Sequence, residues 1–212
     1  ADPEILTKNI SIAAKKKGVK IIEKCKLEKI LKRGNQIRGV KTNLGNINCE
    51  YIVLCAGMWS RQIGEAAGVN IPLYPNEHFY MITEEYKNLP ENLPTFRDPD
   101  TYLYAREYHG KIMLGIFEPK AKNAFKKTGK VPSNFSFGEF KVDKKYVKML
   151  HKLASKRIPT IKNLKIKKYF SGPESFTPDS NFLLGETEEI KNFYVCCGFN
   201  SIGIGSSGGA GK

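Results

Sequence analysis

The chain has 212 residues, enough for one large domain or two small ones with a true core, and its 41% hydrophobic and 26% charged residues make an ordinary globular balance. No run approaches the roughly 20 apolar residues of a membrane span and the N-terminus has no signal-peptide core, so a cytoplasmic protein is expected. The net charge of +14 raises the question of a polyanionic partner, but 29 Lys stand against 6 Arg, and base and phosphate recognition favours the planar Arg fork. A solvated basic surface with no nucleic-acid partner is the expectation.

Asp2-Pro3-Glu4 is a helix start, with a capping carboxylate, proline in the first turn and an acid behind it. Ile5, Leu6, Ile10, Ala13 and Ala14 form one helical stripe, and Gly18 ends it. Val19 to Ile22 reads as a strand. Cys25 to Leu31, Gln36 to Thr42 and Asn46 to Cys49 follow as short runs with Gly34-Asn35 and Asn43-Leu44-Gly45 between them, an antiparallel meander. Tyr51 to Cys55 is a continuous apolar run, expected to be a strand buried on both faces. It opens into Ala56-Gly57-Met58-Trp59-Ser60, and a short helix from Arg61 to Ala67 closes at Gly68.

Past Pro72 and Pro75 the character changes. His78 to Thr83, Tyr102 to Glu107 and Lys111 to Phe117 read as strands, the last two joined by a turn at Tyr108-His109-Gly110. Pro119 to Lys141 is polar and lysine-rich, expected to be a loop with few apolar anchors. Asp143 caps a helix running to Arg157, with Tyr146, Val147, Leu150, Leu153 and Ala154 on one stripe, and Pro159 ends it. Leu164 to Phe170 alternates as a strand. Phe193 to Cys197 reads as a buried strand that opens into the small residues from Gly198 to Gly211, where backbone N–H groups can approach a flat or anionic ligand. The helix those glycines should introduce is expected beyond Lys212, so the chain reads as cut just past a ligand-binding turn.

Cys25, Cys49, Cys55, Cys196 and Cys197 are odd in number, two are adjacent, and none are spaced C-x-x-C, which argues against a disulfide framework and against a metal site. Those in or beside apolar runs read as small buried hydrophobes. Gly203, Gly205 and Gly208 spell G-x-G-x-x-G, but the dinucleotide fingerprint needs a helix after it and an acid about 20 residues on, so the match reads as coincidence. The final segment also misses the phosphate-loop pattern, because Ser206 stands where glycine is required.

The meander leading to Ile52-Val-Leu-Cys-Ala-Gly-Met-Trp-Ser60 resembles the D-amino-acid-oxidase-like flavoprotein superfamily. Pro75–Tyr80 (PNEHFY), Arg97–Glu107 (RDPDTYLYARE), Gly172–Asp179 (GPESFTPD) and Cys197–Ile204 (CGFNSIGI) look like its dimethylglycine and sarcosine dehydrogenase branch. The resemblance covers nearly the whole chain in the family's order. It implies a mixed α/β fold. Residues 1–69 and 171–212 would form an incomplete FAD-binding domain of the two-dinucleotide type, and residues 70–170 an inserted antiparallel-sheet substrate domain. The family's first glycine fingerprint precedes the segment matched here, so this chain alone is expected to bind FAD poorly.

The same resemblance implies site roles. His78 would stand at the substrate side of the flavin, accepting the amine's proton or orienting its nitrogen; a structural histidine is the alternative. Tyr104 would reach the substrate, with Tyr102 on the same strand face as the other choice and a packed aromatic as the plain reading. Arg106 would clamp a carboxylate, or else pair with Glu77, Glu107 or Asp98. Leu27, Gly57 and Trp59 would lie beside FAD, although Trp59 also suits a core. Gly172, Pro173, Pro178 and Asp179 would bring the chain under the flavin ring, and Gly198, Asn200, Ser201, Gly203 and Ile204 would offer N–H donors to its pyrimidine edge. The implied activity is FAD-dependent oxidative demethylation of an N-methylated glycine, with the electron acceptor left open and tetrahydrofolate involved only through a further domain. A regulatory relative of the same fold, of the pyruvate dehydrogenase phosphatase type, is the rival, and a basic nucleic-acid or membrane module a more distant one.

Overall fold

A computed structural model describes residues 2–90, 92–117 and 119–212. The chain divides into two compact units, Ala1–Leu73 with Thr177–Lys212, and Tyr74–Phe176.

The first unit opens with α1 (Pro3–Lys16), whose cap is the one the sequence announces: the Asp2 carboxylate accepts from the Glu4 and Ile5 N–H groups at 2.9 and 3.0 Å. Its apolar stripe is not covered within the described residues; Ile5 and Ile10 are exposed and no residue of the helix is buried. Val19 to Ile22 is irregular rather than a strand. A strand holds its shape by pairing, and no described strand lies beside it to take its hydrogen bonds. The meander forms as expected, from β1 (Leu27–Arg33), β2 (Gln36–Thr42) and β3 (Gly45–Asn48) in that order. β4 (Ile52–Leu54) follows, then a 3-10 turn at Gly57–Trp59 and α2 (Ser60–Ala67), which Gly68 closes in the left-handed region at φ +88°.

The second unit is a five-stranded antiparallel sheet, built from β5 (Tyr74–Thr83), β6 (Phe96–Asp98), β7 (Leu103–Tyr108), β8 (Lys111–Ile116) and β9 (Ile166–Phe176), in the order β6-β7-β8-β5-β9. Period-two alternation sends Phe79, Met81, Leu103, Ala105, Leu114 and Ile116 to one face. There they form a core with Leu150 and Ala154 of α3 (Lys144–Arg157) and with Ile161 of the 3-10 turn after it. β9 runs six residues past the expected end at Phe170, through Gly172 and Pro173. Pro173 is tolerated because β9 is an edge strand, with only β5 requiring its hydrogen bonds.

Residues 119–141 are mostly turns, yet better anchored than their composition suggests. Phe125, Phe135 and Phe140 pack on one another at 5.3 to 6.3 Å, Val131 is buried, and Phe140 and Ala124 donate backbone hydrogen bonds to Ser171 and Pro75.

Back in the first unit, β10 (Leu183–Glu186), which the sequence did not single out, pairs antiparallel with β11 (Phe193–Cys197), and β11 runs parallel to β4. β4 is therefore an edge strand. Leu54 is buried while Val53 and Tyr51 are exposed, so the apolar run is covered on one face and not on two. For the same reason Cys55, expected to be buried, is exposed, whereas Cys197 in β11 is buried. Ile37, Leu73, Ile190 and Phe193 are the most enclosed residues of this unit's core. The glycine-rich segment does not precede a helix; it is one, α4 (Gly203–Ala210). The G-x-G-x-x-G spelling thus lies inside a helix instead of in a strand-to-helix turn, and it is no dinucleotide fingerprint.

Candidate functional site

In the second unit, the sheet face opposite α3 carries the polar and aromatic partners of the alternation. Antiparallel register sets them in rows: Arg97, Tyr104, Gly115, Tyr80 and Phe170 across the five strands, and His78 beside Gly172 one step further along. The rows bring two of the expected residues together. His78 Nε2 lies 2.9 Å from the Tyr104 hydroxyl. Phe117 packs on both, with ring centroids 4.9 Å from His78 and 5.2 Å from Tyr104, and Phe176 closes the cluster at 6.3 Å from His78.

Burial holds the His78 pKa down, to about 4, because the aromatic walls strip the imidazolium of water. Glu174 stands 4.0 Å away, too far to reverse that, so the imidazole is neutral at ordinary pH and the contact is not an ion pair. A neutral ring held by a tyrosine hydroxyl can give or take one hydrogen bond, according to its tautomer. It is better suited to orienting an amine than to holding a proton near pH 7.

Two arginines share this face. Arg106 is on the same side as Tyr104, as period two requires, but its guanidinium sits over the Tyr108 ring at 5.2 Å, at the far end of β7 from His78. Arg97, which the sequence did not single out, lies over Phe117 at 5.1 Å, and no carboxylate pairs with it among the described residues. Tyr102 is not on the strand face; it is an exposed turn residue with φ +59° before β7 begins. An aromatic cluster with a carboxylate on one side and a guanidinium on the other offers a small ligand apolar walls and one charge of each sign. Phe117, Phe176, Glu174 and Gly115 were not legible as site residues, since a strand phenylalanine or glycine carries no local mark of what crosses it.

The other expected residues lie in the first unit, apart from Gly172 and Pro173, which are half-buried in β9. Parallel neighbours β4 and β11 both end in sharp turns of positive φ, +52° at Gly57 and +70° at Gly198, followed by +48° and +67° at Asn200 and Ser201. The carboxyl ends of parallel strands are where open α/β sheets bind ligands. A β-carbon on Gly57 would meet nothing within 4 Å, and α4 begins without a side-chain cap, so its first N–H groups remain as donors. These residues fit the edge of a flat acceptor ring such as a flavin. Gly203 is half-buried and Ser201 and Ile204 are exposed around that start. Trp59 is half-buried in the turn after β4, and Leu27 packs on the unit's core.

Two of the expected residues have side chains already engaged within the fold. Asn200 accepts from the Thr177 N–H at 2.9 Å and donates to Gly198 O at 2.6 Å, stapling the turn. Asp179 accepts from the Asn181 N–H at 3.1 Å, an Asx turn on the exposed loop with Pro178.

Comparison with known proteins gives a family model, "DAO: FAD dependent oxidoreductase", that matches residues 1–212. The chain is 35% identical over 92% of its length to 4-methylaminobutanoate oxidase (formaldehyde-forming) of Paenarthrobacter nicotinovorans. It is 34% identical over its whole length to the mitochondrial sarcosine dehydrogenase of Homo sapiens. It is also 34% identical, over 96%, to the mitochondrial pyruvate dehydrogenase phosphatase regulatory subunit of Mus musculus. It spans only 23% of the length of each of these relatives. Among solved structures, L-proline dehydrogenase from P. horikoshii superposes with a TM-score of 0.78 at 28% identity, covering 96% of this chain and 51% of that one.

Proposed function

Because the chain belongs to the DAO family of FAD-dependent oxidoreductases, we propose that the whole protein oxidises an N-methylated amino acid, of the sarcosine or dimethylglycine type, at its N-methyl carbon. The observation that carries this reading is the 2.9 Å contact between neutral His78 and Tyr104 inside an aromatic cluster. The first unit is the cofactor side, with Gly57, Trp59 and the Gly198–Ile204 turn against the flavin, and the second is the substrate side. Leu27, Gly172, Pro173, Pro178 and Asp179 belong to the same reading as flavin-side residues.

FAD, when bound, supplies the acceptor for a hydride from the N-methyl carbon. The chain's residues set the stage for that loss. The amine must be a free base, because a protonated nitrogen has no lone pair to stabilise the carbon as the hydride leaves. His78 and the Tyr104 hydroxyl hold the nitrogen by a hydrogen bond, and the aromatic walls exclude water and favour the methyl groups. Of the two arginines, Arg97 stands nearer the cluster and takes the carboxylate, in place of Arg106. Water then adds to the iminium carbon, and the product falls apart to formaldehyde and the demethylated amine. That one-carbon unit is what a folate-binding region of the whole protein would capture.

The test is anaerobic flavin reduction in the full-length protein by sarcosine, dimethylglycine or 4-methylaminobutanoate. His78→Asn is expected to keep bound flavin and slow reduction by roughly 10²-fold or more. Reduction at the wild-type rate would show His78 to be structural. The regulatory relative at 34% identity supports a second reading, in which the wild-type protein binds flavin and none of these amines reduces it.

A further inference from the structure

Tyr104 and His78 sit on strands that are not neighbours. β8 lies between β7 and β5, so their backbones are two strand spacings apart, roughly 10 Å. Their side chains nevertheless meet at 2.9 Å. The Tyr104 ring must lie flat across β8 to do so, and it crosses at Gly115, its own register partner. A β-carbon on Gly115 would overlap the Tyr104 ring at Cζ, Oη and Cε1.

Its backbone conformation does not demand glycine there. Gly115 has ordinary strand backbone, without positive φ. Tyr80, its register partner on the other side, stacks on Phe170 at 4.7 Å. The residues two positions away on the same strand face, Met113 and Phe117, are both large. The gap in the row is therefore one residue wide, and the ring that fills it belongs to the site.

We infer that Gly115 is a positioning residue: its missing side chain is the slot through which Tyr104 reaches across a strand to hold His78. The inference rests on the His78–Tyr104 pair being the substrate-side pair. A side chain at position 115 would push the Tyr104 ring into another rotamer and leave the imbedded imidazole without its hydroxyl partner. His78 would then be free to turn, and the amine would lose both of its orienting groups.

The experiment uses the full-length holoprotein with Gly115→Ala, Tyr104→Ala and the double variant. Flavin reduction, melting temperature and the side-chain nitrogen NMR signals of the three histidines are read on each. Gly115→Ala is expected to slow reduction at least tenfold and to shift the His78 signals away from their wild-type tautomer, with flavin content kept. In the Tyr104→Ala background the same substitution is expected to change rate and melting temperature by less than twofold and a degree or so, because the obstructed ring is gone. If Gly115→Ala alone fails to fold while the double variant folds as Tyr104→Ala does, the slot is still demonstrated. Equal losses in both backgrounds, or wild-type His78 signals in Gly115→Ala, would overturn the proposal. Should Tyr104→Phe reduce at the wild-type rate, the functional reading fails, while the NMR and melting comparisons still decide the role of Gly115.

Discussion

At the scale of single residues, His78 is the titratable group whose protonation burial shifts most clearly among the described residues. Its pKa is lowered from 6.5 to about 4 by burial, so the folded protein resists the proton that the unfolded chain takes up. Stability from this group is complete above pH 6.5, is lost as pH falls toward 4, and changes no further below that. The expected loss is about 3 kcal/mol. Urea unfolding from pH 7.5 to 4 should show this fall in the wild type and a smaller one in His78→Asn; equal slopes would place the burial elsewhere. The same low pKa means that an acid limb near neutrality in the rate profile belongs to the substrate amine. That limb should stay in place in His78→Asn even as the rate drops. The arginines separate in the same assay. Arg97→Met should raise KM for the amino acid about tenfold or more with little change in kcat, as loss of a charge-assisted pair predicts, whereas Arg106→Met should leave KM within about twofold.

At the scale of elements, α3 shows why a lysine-rich segment still folds. Leu150 and Ala154 are fully buried against the sheet, while Lys144, Lys148 and Lys152 face water. Leu150→Ala should cost about 2–5 kcal/mol through lost contact and cavity, and Lys148→Ala should stay within about 0.5 kcal/mol. Thermal unfolding of the two variants checks both. The 119–141 segment should show two classes of amide. Phe140 and Ala124, which donate into β9 and β5, should exchange slowly, and Lys126 and Lys127 rapidly. Uniformly fast exchange would mean that the phenylalanine cluster does not hold. Helix caps, the meander and the turn at His109-Gly110 were legible because each depends on a few neighbouring residues. The strand expected at Val19 to Ile22, the two-sided burial of β4 and the end of β9 were not, because pairing and edge position depend on chain far away in sequence.

At the scale of the whole molecule, the net charge of +14 is carried mainly by lysines, and no helix of the described residues is long and apolar enough to cross a membrane. Retention of the protein on a polyanion column should therefore be non-specific, steeply salt-dependent and lost by about 0.2 M salt. Retention well beyond that would revive the nucleic-acid reading. The amino-acid sequence by itself determined the helix and turn signals and the meander, and its resemblance to a known family pointed to the mixed α/β class and to His78 and Tyr104 as candidates. The first are written in local pattern; the second rest on segments that match the family's in order. Only the tertiary structure decided that His78 is largely buried and neutral, that Arg97 and not Arg106 lies over the Phe117 ring that packs on it, that Tyr102 points out from a turn, and that Tyr104 reaches its partner over Gly115. The physical reason is one of distance. These relations join β5, β6, β7 and β8 across a sheet, and strand order and register, which set them, exist only once the strands have paired.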